Sequence, residues 1–145
     1  MNIWTSIAIA STFTWLGMVL AISFIEAPLK FRAPGITVQL GLGIGRLVFK
    51  ALNTVEGVLA AVIVVALVIS RPECLAVVAL AIAMLALIGQ VAGVRPFLKR
   101  RSNAVLADAD GSVTHKRSTA HFYYTGLEIV KVIALVVGGF ALLGG

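Results

Sequence analysis

The chain is poor in charge, in cysteine and in histidine. Of its 145 residues 12% are charged and 60% are hydrophobic, whereas about a quarter of a soluble domain is charged and about half is apolar. Its one cysteine, Cys74, allows no internal disulfide, and one cysteine with two histidines is too small a set for a structural zinc site. These shortages exclude a disulfide scaffold, a disordered chain and an ordinary water-soluble enzyme.

What the sequence has instead is a set of long apolar stretches. A transmembrane helix needs about 20 mostly apolar residues to cross a hydrocarbon layer about 30 Å thick. Four segments meet this requirement: residues 3–25, 47–70, 74–94 and 121–143. Backbone groups in lipid must hydrogen-bond within their own segment or a closed barrel, and the alternating pattern of a barrel is absent. The sequence therefore predicts an all-α, polytopic integral membrane four-helix bundle, with residues 1–145 as a single transmembrane domain.

Basic residues lie almost entirely on one side of the predicted bundle. Ten of the twelve Lys and Arg residues lie in or beside the connections 27–46 and 95–120, and the turn between the second and third spans has only Arg71. By the positive-inside rule both connections are cytoplasmic loops and both termini are external, in a bacterial-type cytoplasmic (inner or plasma) membrane. The net charge of +6 then reflects topology and contact with anionic lipid headgroups, and we expect no nucleic-acid partner.

The few polar residues inside the spans fall on helix faces. Residues three, four or seven apart share a face at about 100° per residue. The fourth span collects His121, Tyr124, Glu128 and Lys131, the second collects Asn53 and Glu56, and the first ends at Glu26. The third span has a stripe of small residues that suits close helix packing and also contains Gln90: Ala76, Ala79, Ala83, Ala86, Gln90 and Gly93. Trp4 and Trp15 are expected to serve as interfacial or packing residues.

Ionisable groups deep in a membrane are costly, at about 2.5–3.5 kcal/mol on insertion scales, so they normally face the bundle interior and find partners. Glu128 and Lys131 can pair within their own helix. Glu56 can meet Lys131 or His121 across helices. At the boundary, Arg46 can reach Glu26.

The polar cluster has the composition of a proton-linked or ion-handling site, and a small transport or ion-handling protein is the leading hypothesis. The candidate binding or proton-linked residues are Glu56, Glu128, Lys131, His121, Tyr124, Asn53 and Glu26. The Glu-x-x-His pairs of a di-iron bundle are absent, and no other spacing singles out a metal site. A catalytic triad is unsupported, because Cys74, Asp108 and Asp110 lie far from His121 in the predicted topology. We therefore assign no metal, no cofactor and no catalytic residue.

Two other classes of function stay open. In the first, the same charges pin the helices of an accessory or assembly subunit of a larger, for example respiratory, membrane complex. In the second, the protein is a membrane metal or redox enzyme. Four thin helices rarely enclose a pathway alone, so the expected partners are the lipid bilayer and either further copies of this chain or a larger membrane complex.

Short motifs in the first half, and one residue near the last span, follow a recognisable order. They are Trp15-Leu16-Gly17, Pro28-Leu29-Lys30-Phe31, Gly45-Arg46-Leu47-Val48-Phe49 and a histidine, His121, that opens the last helix. In these features the chain resembles a group of small uncharacterised four-helix integral membrane proteins. The resemblance implies a four-helix fold and carries no catalytic residue across.

Overall fold

The structure is a computed structural model that describes residues 1–94, residue 100 and residues 119–145, without the side chains of residues 94 and 119–121. The described residues contain helices and no strand. We label the long helices α1 (Ile3–Val19), α2 (Val38–Ser70), α3 (Cys74–Ile88) and α4 (Thr119–Gly144). The prediction of an all-helical chain is confirmed for this part of the sequence.

The first helix begins at a side-chain cap and changes its winding before it ends. Asn2 accepts a hydrogen bond of 2.8 Å from the backbone N–H of Thr5, which satisfies one of the donors left open at a helix start. After α1 the chain continues as a π-helical segment, Leu20–Glu26, and then as short turns over Ala27–Leu29 and Lys30–Arg32. Pro28 has no backbone N–H to donate, and the change of winding directly precedes it.

The second helix is the longest of the described helices. The Thr37 hydroxyl caps its start by accepting a 3.0 Å hydrogen bond from the Leu40 N–H, and 33 residues follow with no proline among them, for a length of about 50 Å. Arg71 ends the helix in the left-handed conformation, at φ 47°, and Pro72 then prevents its continuation. The third helix, α3, starts after this short turn and continues as a π-helical segment, Gly89–Val94.

Four helical stretches of the described chain are long and apolar enough to cross a membrane: Ile3–Arg32, Val38–Ser70, Cys74–Gly93 and Phe122–Gly144. The predicted third and fourth spans, 74–94 and 121–143, agree with these stretches to within one residue at each end. The first stretch begins where predicted but ends seven residues later than residue 25, and the second ends where predicted but begins nine residues before residue 47. Large apolar side chains also cover the outside of the bundle, among them Val68 and Phe140, which are 68% and 62% exposed. The molecule therefore has the apolar outer surface that a lipid environment favours.

One of the two predicted loops is mostly helical, and the other lies mostly outside the described residues. Most of the predicted loop 27–46 is helical, because the first helical stretch runs to Arg32 and α2 already begins at Val38. Gly41 and Gly45 do not break α2, and the side chains of Phe31 and Lys30 lie against them. The predicted loop 95–120 lies outside the described residues except for the helical residues 100, 119 and 120.

Consecutive long helices are antiparallel, as in an up-and-down bundle. Helix α1 contacts α2 and α4, α3 packs against α4, and α2 approaches α3 at fewer positions. We call the end that holds the turn at residues 71–73 the turn end, where Gly145 also approaches Glu73. The opposite end, where α1 and α3 finish and α2 and α4 begin, is called the basic end. Towards the turn end the core is apolar and includes Ala8, Ile63, Leu80, Leu135 and Leu142.

Glycines in α4 allow close packing of neighbouring helices. A methyl group on Gly138 would lie 2.8 Å from the buried Leu80 side chain of α3, and one on Gly139 would lie 2.8 Å from the Phe13 ring of α1. The small-residue stripe predicted for the third span has the same role, since Ala76, Ala79 and Ala83 are buried in the core region that faces α4. Small residues at such positions let helix backbones approach closely.

We expect Gly138→Leu to destabilise the bundle by about 1–3 kcal/mol, the usual cost of overpacking a close contact. The matched control is Gly126→Leu in the same helix, since nothing lies within 4 Å of a side chain added at Gly126. Thermal unfolding of the two variants in mild detergent measures the difference. Equal stability of the two variants would contradict the packing described for α3 and α4.

Candidate functional site

A fully buried lysine is the centre of the polar interior. Lys131 of α4 is 0% exposed, and its Nζ lies 2.7 Å from Glu56 Oε2, 2.6 Å from Glu128 Oε1 and 2.7 Å from Gln90 Oε1. An ammonium has three N–H donors and no acceptor. Each donor of Lys131 can therefore be matched to one oxygen, from α2, from α4 and from the π-helical segment after α3.

Further hydrogen bonds connect these partners to one another. Gln90 Nε2 donates to Glu128 Oε1 at 2.6 Å and to the backbone oxygen of Tyr124 at 3.2 Å. The buried indole of Trp15 donates from Nε1 to Glu56 Oε2 at 2.9 Å. We call Trp15, Glu56, Gln90, Glu128 and Lys131 the Lys131 cluster. Every long helical stretch of the described chain contributes at least one member.

The local winding of each helix explains why these side chains meet. Glu128 and Lys131 are three residues apart, so they share a face of α4. Gln90 is the second residue of the π-helical segment Gly89–Val94. A π-helical turn adds a residue to the turn and rotates the side chains that follow, and such turns recur at functional sites. Glu56 lies 14 residues before Ser70, which places it about 20 Å from the turn end.

The charges of the cluster do not balance. Two carboxylates and one ammonium give a formal charge of −1 inside the bundle, where Glu56 and Glu128 are 0% and 2% exposed. The second carboxylate oxygens, Glu56 Oε1 and Glu128 Oε2, are buried and have no hydrogen-bond partner among the described residues. An uncompensated buried charge is strongly unfavourable, so the cluster has an affinity for one additional positive charge.

A second group of polar and aromatic residues lies nearer the basic end. Glu26 Oε2 is 3.9 Å from Lys30 Nζ, and their side chains are 34% and 11% exposed. Lys30 Nζ also lies over the rings of Phe31 and Phe49, 5.4 Å and 5.6 Å from their centroids, at a distance that permits cation–π attraction. Phe49 in turn meets the Tyr124 ring edge-on at 5.9 Å. A series of contacts thus leads from Glu26, near the basic end, to the turn of α4 that precedes Glu128.

The structure brings together the residues that the sequence predicted to pair deep in the bundle. The predicted pairs Glu128–Lys131 and Glu56–Lys131 are confirmed as ion pairs. Asn53 is buried one turn from Glu56, and its amide has no hydrogen bond among the described residues. Tyr124 lies one turn from Glu128 and contributes its backbone oxygen to Gln90.

Two predictions at the basic end, the Arg46–Glu26 pair and the role of His121, are not confirmed. The suggested pairing of Arg46 with Glu26 is wrong, because Glu26 pairs with Lys30, which reaches it within the same helical stretch. Glu26 consequently stands apart from the Lys131 cluster. His121 lies in the first turn of α4, and its side chain lies outside the described residues.

Trp15 and Gln90 are members of the cluster that the candidate set did not contain. Both had a signal in the sequence. Gln90 is the strongly polar residue of the third span, and an amide in an apolar helix needs a hydrogen-bond partner. Trp15 lies too far along the first span for an interfacial residue, and a buried indole N–H also needs an acceptor.

Comparisons with known proteins identify no relative of this chain. No protein-family model, no curated protein and no solved structure matches the chain. Among the described residues, no group of three or more His, Cys, Asp or Glu side chains could hold a metal ion.

We expect Lys131→Met to destabilise the folded protein by about 3–5 kcal/mol, because it leaves two buried carboxylates without their ammonium. Lys50→Met, at an exposed lysine of α2, is the control and should have little effect. Adding Glu56→Gln and Glu128→Gln to Lys131→Met should recover much of the loss, because no uncompensated charge then remains. Size-exclusion profiles and unfolding temperatures in detergent report the result, and a Lys131→Met protein as stable as the unmodified one would refute it.

Proposed function

We propose that this chain is an integral membrane protein that exchanges protons at the Lys131 cluster as part of a small transport or ion-handling activity. The observation that carries the proposal is the charge of the cluster: two carboxylates share one ammonium, all three are buried, and one oxygen of each carboxylate has no hydrogen bond among the described residues. Intramembrane ionisable residues of this kind are typical of proton relays and ion pathways.

The exchange follows from the charge count. One proton on either Glu56 or Glu128 makes the cluster neutral, and Lys131 remains between the two carboxylates in both cases. When that proton leaves, the cluster regains its charge of −1 and attracts a second proton or another cation. Release of the first ion is thereby linked to arrival of the next, which is one of the requirements for coupled exchange across a membrane; the other is access to the site from each side in turn.

Proton flux tests this assignment directly. Vesicles that contain the purified protein and a trapped pH-sensitive dye should lose an imposed pH gradient faster than protein-free vesicles, with the membrane potential clamped by a potassium ionophore. Glu56→Gln and Glu128→Gln should each reduce the rate to that of protein-free vesicles, because each removes one of the two proton acceptors. Glu73→Gln, at an exposed carboxylate of the turn end, is the control, and flux retained in both cluster variants would exclude the proposal.

A second function is favoured by the complete hydrogen bonding of Lys131. All three of its donors have acceptors, and those acceptors connect α2, α4 and the end of α3. A cluster of that kind also suits an accessory subunit, where the charges fix the helices and a larger membrane complex supplies the activity. That function predicts copurification with larger subunits in mild detergent, and no flux from the purified chain alone.

We also propose that the basic end faces the cytoplasm and that the turn end is external, in a bacterial-type cytoplasmic membrane. The basic residues of the connections support this orientation. Self-association of the bundle is part of the same proposal, because four helices offer little room for a pathway of their own.

The single cysteine provides a test of orientation. Cys74 is exposed at the turn end, so we expect a maleimide that does not cross membranes to label it in intact cells that express the chain. Cys74→Ser controls for background labelling. Labelling that appears only after the cells are permeabilised would reverse the proposed orientation.

A further inference from the structure

The buried polar atoms without hydrogen bonds are distributed unevenly about the Lys131 cluster. Towards the basic end these include Ser23 Oγ, Glu26 Oε2 and both polar atoms of the Asn53 amide. The free oxygens of Glu56 and Glu128 are at the cluster itself. Buried polar groups that lack a protein partner are normally satisfied by ordered water.

Helix spacing sets these groups at successive depths. Asn53 precedes Glu56 by three residues on α2, and Glu128 precedes Lys131 by three residues on α4. Because α2 and α4 both start at the basic end, Asn53 and Glu128 lie on the basic side of the contact between Glu56 and Lys131. The paired rings of Phe49 and Tyr124 lie one further turn towards that end. Phe49 precedes Asn53 by four residues, and Tyr124 precedes Glu128 by four residues.

The first helix reaches the same depths from its own side. Trp15 contacts Glu56, and Ser23 follows Trp15 by eight residues, which brings it to about the depth of Phe49, seven residues before Glu56. Glu26 lies one turn further out, is 34% exposed at its side chain and pairs with Lys30. Lys30 contacts the Phe49 ring. A polar series therefore extends from the exposed boundary to the carboxylates.

The opposite side of the cluster is different. Two buried hydroxyls of the described chain lie on this side without a hydrogen bond: Thr12, one turn from Trp15, and Ser70, at the far end of α2. Between them Ala8, Ile63 and Ala66 are 0% exposed and apolar. This core offers no polar group to hold water, and apolar interiors of this kind stay dry. Protons that cross the membrane therefore leave the cluster on this side only after the helices rearrange there.

We propose that protons reach Glu56 and Glu128 from the basic end, along a water-mediated path in which Asn53 positions the water molecule next to the carboxylates. The path begins at Glu26 and passes Ser23 and the edge of the Phe49 and Tyr124 rings. Asn53 can accept a hydrogen bond at Oδ1 and donate two from Nδ2, so it can orient a water molecule towards the free oxygen of Glu56. Asn53 is thus a positioning residue, and the inference rests on the proposed proton exchange at the cluster.

The kinetic test compares Asn53→Leu with Thr12→Val, two substitutions that each remove buried polar atoms and keep the number and branching of the side-chain heavy atoms. The reporter is Trp15 fluorescence in a Trp4→Phe background, which leaves Trp15 as the single tryptophan, followed after a rapid pH change. Asn53→Leu should slow proton uptake about tenfold, the effect of losing one hydrogen bond from a rate-limiting step. Its final fluorescence should equal that of the parent, and Thr12→Val should leave the rate unchanged.

A structural role for Asn53 would give another result. Replacing an amide without hydrogen bonds by leucine would then leave the rate unchanged, with stability equal or higher. That outcome overturns the proposal, as does a larger slowing in Thr12→Val than in Asn53→Leu.

Thiol accessibility tests the path without measuring protons. In a Cys74→Ser background, Asn53→Cys should react rapidly with silver ion, a probe nearly as small as water, and Ala66→Cys should react slowly. Equal rates at the two positions overturn the one-sided path. If Asn53→Cys is unreactive while Glu56→Gln still abolishes flux, the path fails and the proposed function stands. If Asn53→Cys reacts but Glu56→Gln retains full flux, both fail.

Discussion

The structure depends on the burial of one ammonium group. Lys131 has no exposure to solvent, and such a charge persists in an apolar interior only when its donors all have acceptors. Those acceptors come from α2, from α4 and from the segment after α3, and α1 is joined to them through the Trp15 indole. Burial of Lys131 therefore sets the rotation of each helix, and the apolar contacts of the turn end complete the arrangement.

Lys131 has an acceptor for each of its donors, but one oxygen of each carboxylate has no hydrogen bond among the described residues. Two carboxylates contact one ammonium, so the interactions that hold the helices together also give the interior a formal charge of −1. A structural pin needs only one carboxylate opposite Lys131. The second, together with the polar atoms that continue towards the basic end, links the stability of the bundle to the ions that the cluster can take up.

The sequence was sufficient for the helices and for part of the site. Long apolar runs predict the helices, because hydrocarbon allows few other structures, and the three-residue spacing of Glu128 and Lys131 predicts their pairing. It was not sufficient for Gln90, whose direction depends on the π-helical segment that contains it. The predicted loop 27–46 contains Gly41, Gly43 and Gly45, and glycine disfavours a helix, whereas α2 begins at Val38 and the side chains of Phe31 and Lys30 pack against two of these glycines. The partner of Glu26 was missed because the helix continues past Pro28 and brings Lys30 within reach.

The most direct test is whether the buried cluster carries one proton. Infrared spectra of the purified protein at neutral pH, in a detergent without ester groups, separate protonated from ionised carboxyl groups. We predict a protonated carboxyl band that shifts in D2O, persists in Glu73→Gln and is absent from the Glu56→Gln/Glu128→Gln double variant. A spectrum without that band in the unmodified protein, or a band that survives in the double variant, would contradict the account of the Lys131 cluster as a proton-exchanging site.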